Sequence, residues 1–154
     1  MKLPDYRNDS KLKELFGLHL KSSEVIDLLE TSGMDVIYQF DRLNEGVSDS
    51  YSSASPAEGF EFRFDERQVL ETIWCYIRQR DGFSKIDSNC IGTFIPSSLT
   101  EVKAHAVATG QRYSESLTGS AERTWLRLEE AAMWTHYEFI DGELSLVTLM
   151  RPWN

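Results

Sequence analysis

The chain has 154 residues, of which 41% are hydrophobic, with eight Phe, six Tyr, four Trp and a formal net charge of −9. That apolar content excludes a disordered polar segment and suffices for a single domain with a sizeable core. The acidic balance repels nucleic acid and anionic membrane and favours a basic partner, and no apolar run approaches membrane-spanning length.

From the N-terminus, MKLPDYRNDSKLKELFG lacks the apolar stretch of a signal peptide, so a cytoplasmic chain without a membrane anchor is expected. A first helix is predicted from Asp9 or Ser10 to Phe16, capped by Asp9 and ended by Gly17. A second runs from about Ser23 to Ser32, with Val25, Ile26, Leu28 and Leu29 along one side and Gly33 as the stop. DVIYQFD, Asp35 to Asp41, reads as a strand. The Ser-rich stretch from Arg42 to Glu58 reads as the longest and most mobile loop. Strands follow at Phe60 to Phe64 and Gln68 to Ile77, with Glu66-Arg67 at the turn between them.

Arg80 to Asn89 is a polar connector, after which Ser97 or Ser98 caps a helix reaching Thr109, before Gly110. Strands are expected near Gln111 to Leu117, Thr124 to Glu129, Ala132 to Phe139 and Glu143 to Met150. Between the last two, Asp141-Gly142 is the strongest short-range signal for a two-residue hairpin turn.

The two halves echo one another. Phe62 and Phe64 recur as Tyr137 and Phe139, and the same spacing carries Gly17 to Gly92, Ser22-Ser23 to Ser97-Ser98, Tyr38 to Tyr113 and Val69 to Leu144. After a two-residue insertion at Leu99-Thr100, Glu24-Val25 and Gly33 match Glu101-Val102 and Gly110. Matching features in the same order are a repeat signature. The expected fold is therefore α+β: a tandem duplication of a helix plus antiparallel β-meander, about residues 9–78 and 85–150 of a single domain spanning 1–154. Its strands would form one curved sheet with helices on one face.

Strand alternation sorts the side chains. Phe62, Phe64, Ile73, Leu126, Leu128, Tyr137, Phe139, Leu144 and Leu146 are expected in the core, against Leu28, Leu29 and Val102. The opposite face would carry Trp74, Tyr76, Trp125, Arg127, Glu129, Trp134, His136 and Glu138 together with Arg63, and also Val147 and Leu149. Trp, Tyr and Arg beside acidic residues are the composition of binding hot spots, so those eight are the candidate partner-binding residues. Coverage of this face by the 42–58 loop, or self-association through it, is the competing arrangement.

Catalytic signatures are missing from the pattern. His19, His105 and His136 fall in no metal-binding spacing, Cys75 and Cys90 fit no zinc motif, and no glycine-rich phosphate loop occurs. The expectation is a non-enzyme with no cofactor, no metal and reduced thiols.

A Ser-led helix followed by an antiparallel meander, duplicated in tandem, resembles the architecture of the beta-lactamase inhibitor protein family, whose doubled sheet grips a partner with its concave face. The pattern G-x-x-[LI]-x-S-S…E-V…G, with an aromatic strand after it, also resembles acidic immunity proteins of contact-dependent growth inhibition and related polymorphic toxin systems. Inhibitors of the beta-lactamase type are secreted and disulfide-bonded, whereas this chain has only two cysteines and no export signal, which points to the cytoplasmic immunity branch. The resemblance implies a protein that neutralises a cognate bacterial toxin, a basic nuclease domain, by occlusion. The alternative is a small-ligand-binding or catalytic domain that uses the aromatic sheet face as a pocket.

Overall fold

The computed structural model describes residues 11–40, 43, 45–116 and 122–153. Its elements are helices α1 (Leu12–Leu15), α2 (Ser23–Thr31) and α3 (Leu99–Thr109), and strands β1 (Val36–Gln39), β2 (Ser50–Ser55), β3 (Phe60–Phe64), β4 (Leu70–Tyr76), β5 (Arg112–Glu115), β6 (Arg123–Glu129), β7 (Trp134–Ile140) and β8 (Glu143–Met150). The class is α+β. All eight strands join one open antiparallel sheet in the order β1-β2-β3-β4-β8-β7-β6-β5. Each run of four is a meander preceded by helix, and the last strand of each run meets the other at the centre of the sheet.

Local chemistry accounts for the helix ends. Ser98 caps α3 by accepting from the Glu101 N–H at 3.2 Å, and Gly110, at φ 68°, closes it in the left-handed region. The Asp9 cap expected for α1 lies outside the described residues. Leu12, Leu15, Val25, Leu29, Val102 and Ala106 join one apolar cluster with the inward side chains of the sheet, so the three helices cover its inner face.

Two expectations are corrected. The stretch from Arg42 to Glu58 is not all loop: SYSSAS forms β2, paired to β1 and to β3. Serine weakens the hydrophobic alternation that reveals a strand, but Ser50, Ser53 and Ser55 are buried, and the Ser53 hydroxyl donates to the Asp35 carbonyl at 2.8 Å. The second correction concerns β8. Asp141 and Gly142, at φ 52° and 80°, make the expected two-residue turn, and Phe139 pairs with Leu144 as expected. A bulge then intervenes. Glu138 pairs with Leu146 and Tyr137 with Val147, leaving Ser145 as the extra residue. Because side chains alternate with period two, one extra residue exchanges the faces of everything beyond it. Val147 and Leu149 are fully buried on the inner face, whereas Leu146 turns outward beside Glu138.

The β3–β4 hairpin has a bulge in the corresponding place. Phe64 pairs with Leu70 and Arg63 with Thr72, which leaves Glu71 extra. Its turn is longer than expected. Asp65 accepts from the N–H groups of Arg67 and Val69 at 2.8 and 3.0 Å, and Gln68 adopts φ 64°. The remaining predicted core residues Phe62, Phe64, Ile73, Leu126, Leu128, Tyr137, Phe139 and Leu144 are buried. Leu29 and Val102 are buried against them and Leu28 packs there partly buried.

Candidate functional site

On the outer face of the sheet, away from the helices, the register lays down three cross-strand rows. One runs Arg63, Thr72, Met150, Trp134, Glu129, Arg112; the next runs Glu61, Trp74, Thr148, His136, Arg127, Ser114. The third runs Tyr76, Leu146, Glu138, Trp125. The eight candidate residues Trp74, Tyr76, Trp125, Arg127, Glu129, Trp134, His136 and Glu138 thus share one face. The strand period alone would place them so within each hairpin, and the β4–β8 pairing brings the two hairpins together.

Arg127 is the hub. Its guanidinium carbon lies 4.2 Å from the ring centre of Trp134, 5.0 Å from Trp153 and 5.5 Å from Trp125, while Nε and Nη2 both donate to Glu129 Oε2, at 3.2 and 3.0 Å. Cation–π contacts of this kind stabilise by about 0.5–2 kcal/mol each, more as water is excluded. The His136 ring stacks on Trp125 at 5.1 Å. Burial, and then the positive charge of Arg127, holds the His136 pKa below the ordinary imidazole value.

Tyr76 is on the face but not open to it. Phe83 stacks over its ring at 4.1 Å between centres, and its hydroxyl donates to Glu61 at 2.7 Å. Burial, reinforced by that carboxylate, pushes the Tyr76 pKa up. Phe83 reaches Tyr76 because Asp81 and Gly82, at φ 51° and 85°, form a tight turn that bridges Arg80 to Phe83. The Asp-Gly pair inside the supposed polar connector was the available signal. Trp153 was missed too. It is 67% exposed, sits edge-on to Trp134 at 5.8 Å, and follows the last strand in RPW, where no alternation assigns it a face.

The carboxylates of this face are paired within the chain. Glu138 is reached by Arg80 at 3.2 Å and Arg123 at 3.4 Å, Glu129 by Arg127 at 3.0 Å and Arg112 at 4.0 Å, and Glu71, the β4 bulge residue, by Arg63 at 3.3 Å and Arg151 at 3.2 Å. The acidic surplus gathers elsewhere: a groove of about 640 Å³ beside α1 and α2 is lined by Glu24, Asp27, Glu30, Glu58 and Asp87, against Lys85. A second cavity, of about 560 Å³, opens at the β1–β2 end of the outer face, where Phe40, Leu43 and Val47 approach Arg63 and Trp74.

The remaining reactive groups have structural partners. His19 accepts from the Lys21 N–H through Nδ1 at 3.0 Å, and His105 stacks on Phe94 at 4.0 Å. Burial pushes the Cys75 thiol far up, and burial followed by Asp87 raises that of Cys90. Among the described residues no cluster of His, Cys, Asp or Glu could hold a metal ion, and no helix is long and apolar enough to cross a membrane. In comparisons with protein-family models, curated proteins and solved structures, nothing matches this chain.

Proposed function

We propose that this is a binding protein of the immunity or inhibitor type, which acts in the cytoplasm and neutralises a cognate bacterial toxin by covering it with the outer sheet face. It performs no chemistry of its own. The observation that carries this reading is the Trp125–Arg127–Trp134–Trp153 cluster, a partly exposed aromatic and arginine patch on a face that the three helices leave open. Truncation of such anchors is what costs protein interfaces most. The −9 net charge supports a partner that is basic overall, through faster encounter. The test is co-expression with the toxin domain encoded beside this chain, read by growth protection and pull-down. Capture by the wild type that is lost in a folded Trp125→Ala/Trp134→Ala variant supports the reading. Absence of capture refutes it.

We also infer that the chain is one folded unit built by tandem duplication, with halves of about 9–78 and 85–150. The paired bulges support this beyond the shared element order. Glu71 and Ser145 interrupt their hairpins one residue past the Phe64–Leu70 and Phe139–Leu144 pairs. The two bulge carbonyls then accept from residues just past the opposite central strand: Glu71 from the Arg151 N–H and Ser145 from the Ile77 N–H, each at 3.0 Å. These contacts relate β4 to β8 as a local dyad through Trp74 and Thr148 would.

The cavity beside Trp74 and Arg63 favours one second reading, a small ligand held against the aromatic face, which tryptophan-fluorescence titration with candidate ligands would separate from protein capture.

A further inference from the structure

The two edges of the sheet are built differently. At one, β5 carries Arg112 at its start and Glu115 at its end, and Lys103 of α3 reaches Glu115 at 3.0 Å. Charged edge side chains of this kind discourage further strand pairing. At the other, β1 reads Val36-Ile37-Tyr38-Gln39 and is followed by Phe40, with no charged residue; Asp35, Asp41, Arg42 and Glu45 all lie beyond these five in the sequence. All four β1 residues are exposed, on the inner and the outer face alike, so the helices stop short of this strand. Its inward side chains extend the core rows, Val36 beside Ser53 and Phe62, and Tyr38 beside Tyr51 and Phe64. Of the ten large apolar side chains exposed among the described residues, six fall here: Val36, Ile37, Tyr38, Phe40, Leu43 and Val47. Apolar surface gathered in this way marks a contact site. The six leave on the order of 600 Å² bare per copy, so two copies closing over them would bury roughly 1,200 Å², where specific interfaces begin.

We propose that β1 pairs antiparallel with β1 of a second copy, joining the two sheets edge to edge. A dyad at Tyr38 sets Tyr38 opposite itself, Val36 opposite Phe40 and Ile37 opposite Gln39. Opposed residues of antiparallel strands share a face, so inward side chains meet inward ones across the seam. The Tyr38 ring, 5.0 Å from that of Tyr51 and 5.9 Å from that of Phe40, then meets its counterpart on the inner face. A basic segment would find no carboxylate between Val36 and Phe40, whereas the strand's own pattern matches itself. Asp49, which accepts from the Tyr38 hydroxyl, brings a carboxylate near the seam, and each copy carries −9; charge therefore opposes the contact and apolar burial drives it. The dyad stands perpendicular to the sheet and leaves both tryptophan clusters open on the same side, so the pairing is independent of the immunity reading.

The test is sedimentation velocity on the full chain from about 1 to 200 µM, where a dimer should grow with concentration. It should tighten as salt rises from about 0.05 to 0.5 M, because screening removes the repulsion between copies. Tyr38→Lys sets like charges opposite one another and Ile37→Lys puts a charge on the edge; each should weaken dimerisation roughly tenfold or more. Val107→Lys, on the exposed side of α3, should leave it unchanged, and unfolding midpoints matching the wild type would exclude a folding defect. In a Cys90→Ser background, Tyr38→Cys should form a disulfide-linked dimer under mild oxidation, whereas Ile37→Cys, offset from its own copy by the register, should not. A monomer throughout that range, a dimer indifferent to both lysine substitutions, one that loosens as salt rises, or equal cross-linking at both cysteines would overturn the inference. A monomer whose toxin capture is lost on Ile37→Lys would also overturn it, by giving the edge to a partner's strand. A dimer that behaves as expected but captures no toxin would remove only the immunity reading.

Discussion

Leu146→Ala and Leu149→Ala remove the same three carbons from one strand, three positions apart, and the bulge at Ser145 decides which loss matters. Leu149 is fully buried and belongs to the apolar cluster, opposite Ile73 on one side and Thr135 on the other. Three buried methylene equivalents at about 0.8 kcal/mol each give roughly 2.4 kcal/mol of lost transfer energy. A cavity that cannot fully collapse raises the expected cost to about 3–4 kcal/mol. Leu146 is only partly buried on the outer face between Tyr76 and Glu138, and its truncation opens to solvent instead of leaving a void. The cost there should be about 1 kcal/mol. Urea unfolding monitored by far-UV circular dichroism would report the difference, with an m-value of about 2 kcal/mol/M turning 3 kcal/mol into a midpoint shift of roughly 1.5 M. Equal costs, or a larger cost at Leu146, would mean that the hairpin runs without the bulge and that the assignment of faces along β8 is wrong.

Phe139→Ala should cost about 3–5 kcal/mol as a buried aromatic deletion, and a loss below about 1 kcal/mol in the same unfolding assay would contradict its inward placement. Gly59→Ala should destabilise much more than Gly142→Ala. Both glycines have positive φ, but a Cβ on Gly59 would sit 2.7 Å from the Ile86 nitrogen and closer still to the Ser84 carbonyl, while none crowds Gly142; comparable melting temperatures would refute the close approach. Trp134→Ala should leave the fold intact and weaken toxin affinity by roughly 2 kcal/mol or more in a binding titration, and undiminished affinity would move the contact away from this face. His136 has a depressed folded pKa, so the unfolded chain takes up the proton first; its contribution is complete above the ordinary imidazole range and falls away as pH drops through that range toward the lowered value. His136→Gln should accordingly lose less stability than wild type between about pH 7.5 and 5.5, and identical pH profiles would rule out the burial argument.

Much of this fold was legible because its signals are local. Asp141-Gly142 has a single preferred turn geometry, Ser98 and Gly110 bracket α3, and FEFRF alternates cleanly enough to put its three phenylalanines inside. What escaped lacks a periodic signature. β2 hides because serine fills its buried positions, accepted there through hydrogen bonding and not through hydrophobicity. The Ser145 bulge is invisible because LSLVTL reads equally well in either phase until its partner strand is known. The outer face followed from alternation within each hairpin, but its charge did not. Arg80, Arg112 and Arg123 reach the face from a turn, an edge strand and the start of β6, and only their distances to Glu129 and Glu138 reveal that these carboxylates are already neutralised.

The central β4–β8 seam also bears on how the chain acquires this structure. Within each meander neighbouring strands are close in sequence and can zip as they form, but Thr72 must find Met150 across just over half the chain. During synthesis β4 is made well before β8, so its outward-going edge, with Ile73 and Cys75 destined for full burial, waits unpaired while the second meander is assembled. The seam should therefore form late and unzip early, and amide hydrogen exchange should find β4 and β8 losing protection together as one cooperative step. Separated halves would each present a bare central strand to the other, the condition under which complementing fragments reassociate, and under which an incomplete chain pairs with the wrong copy.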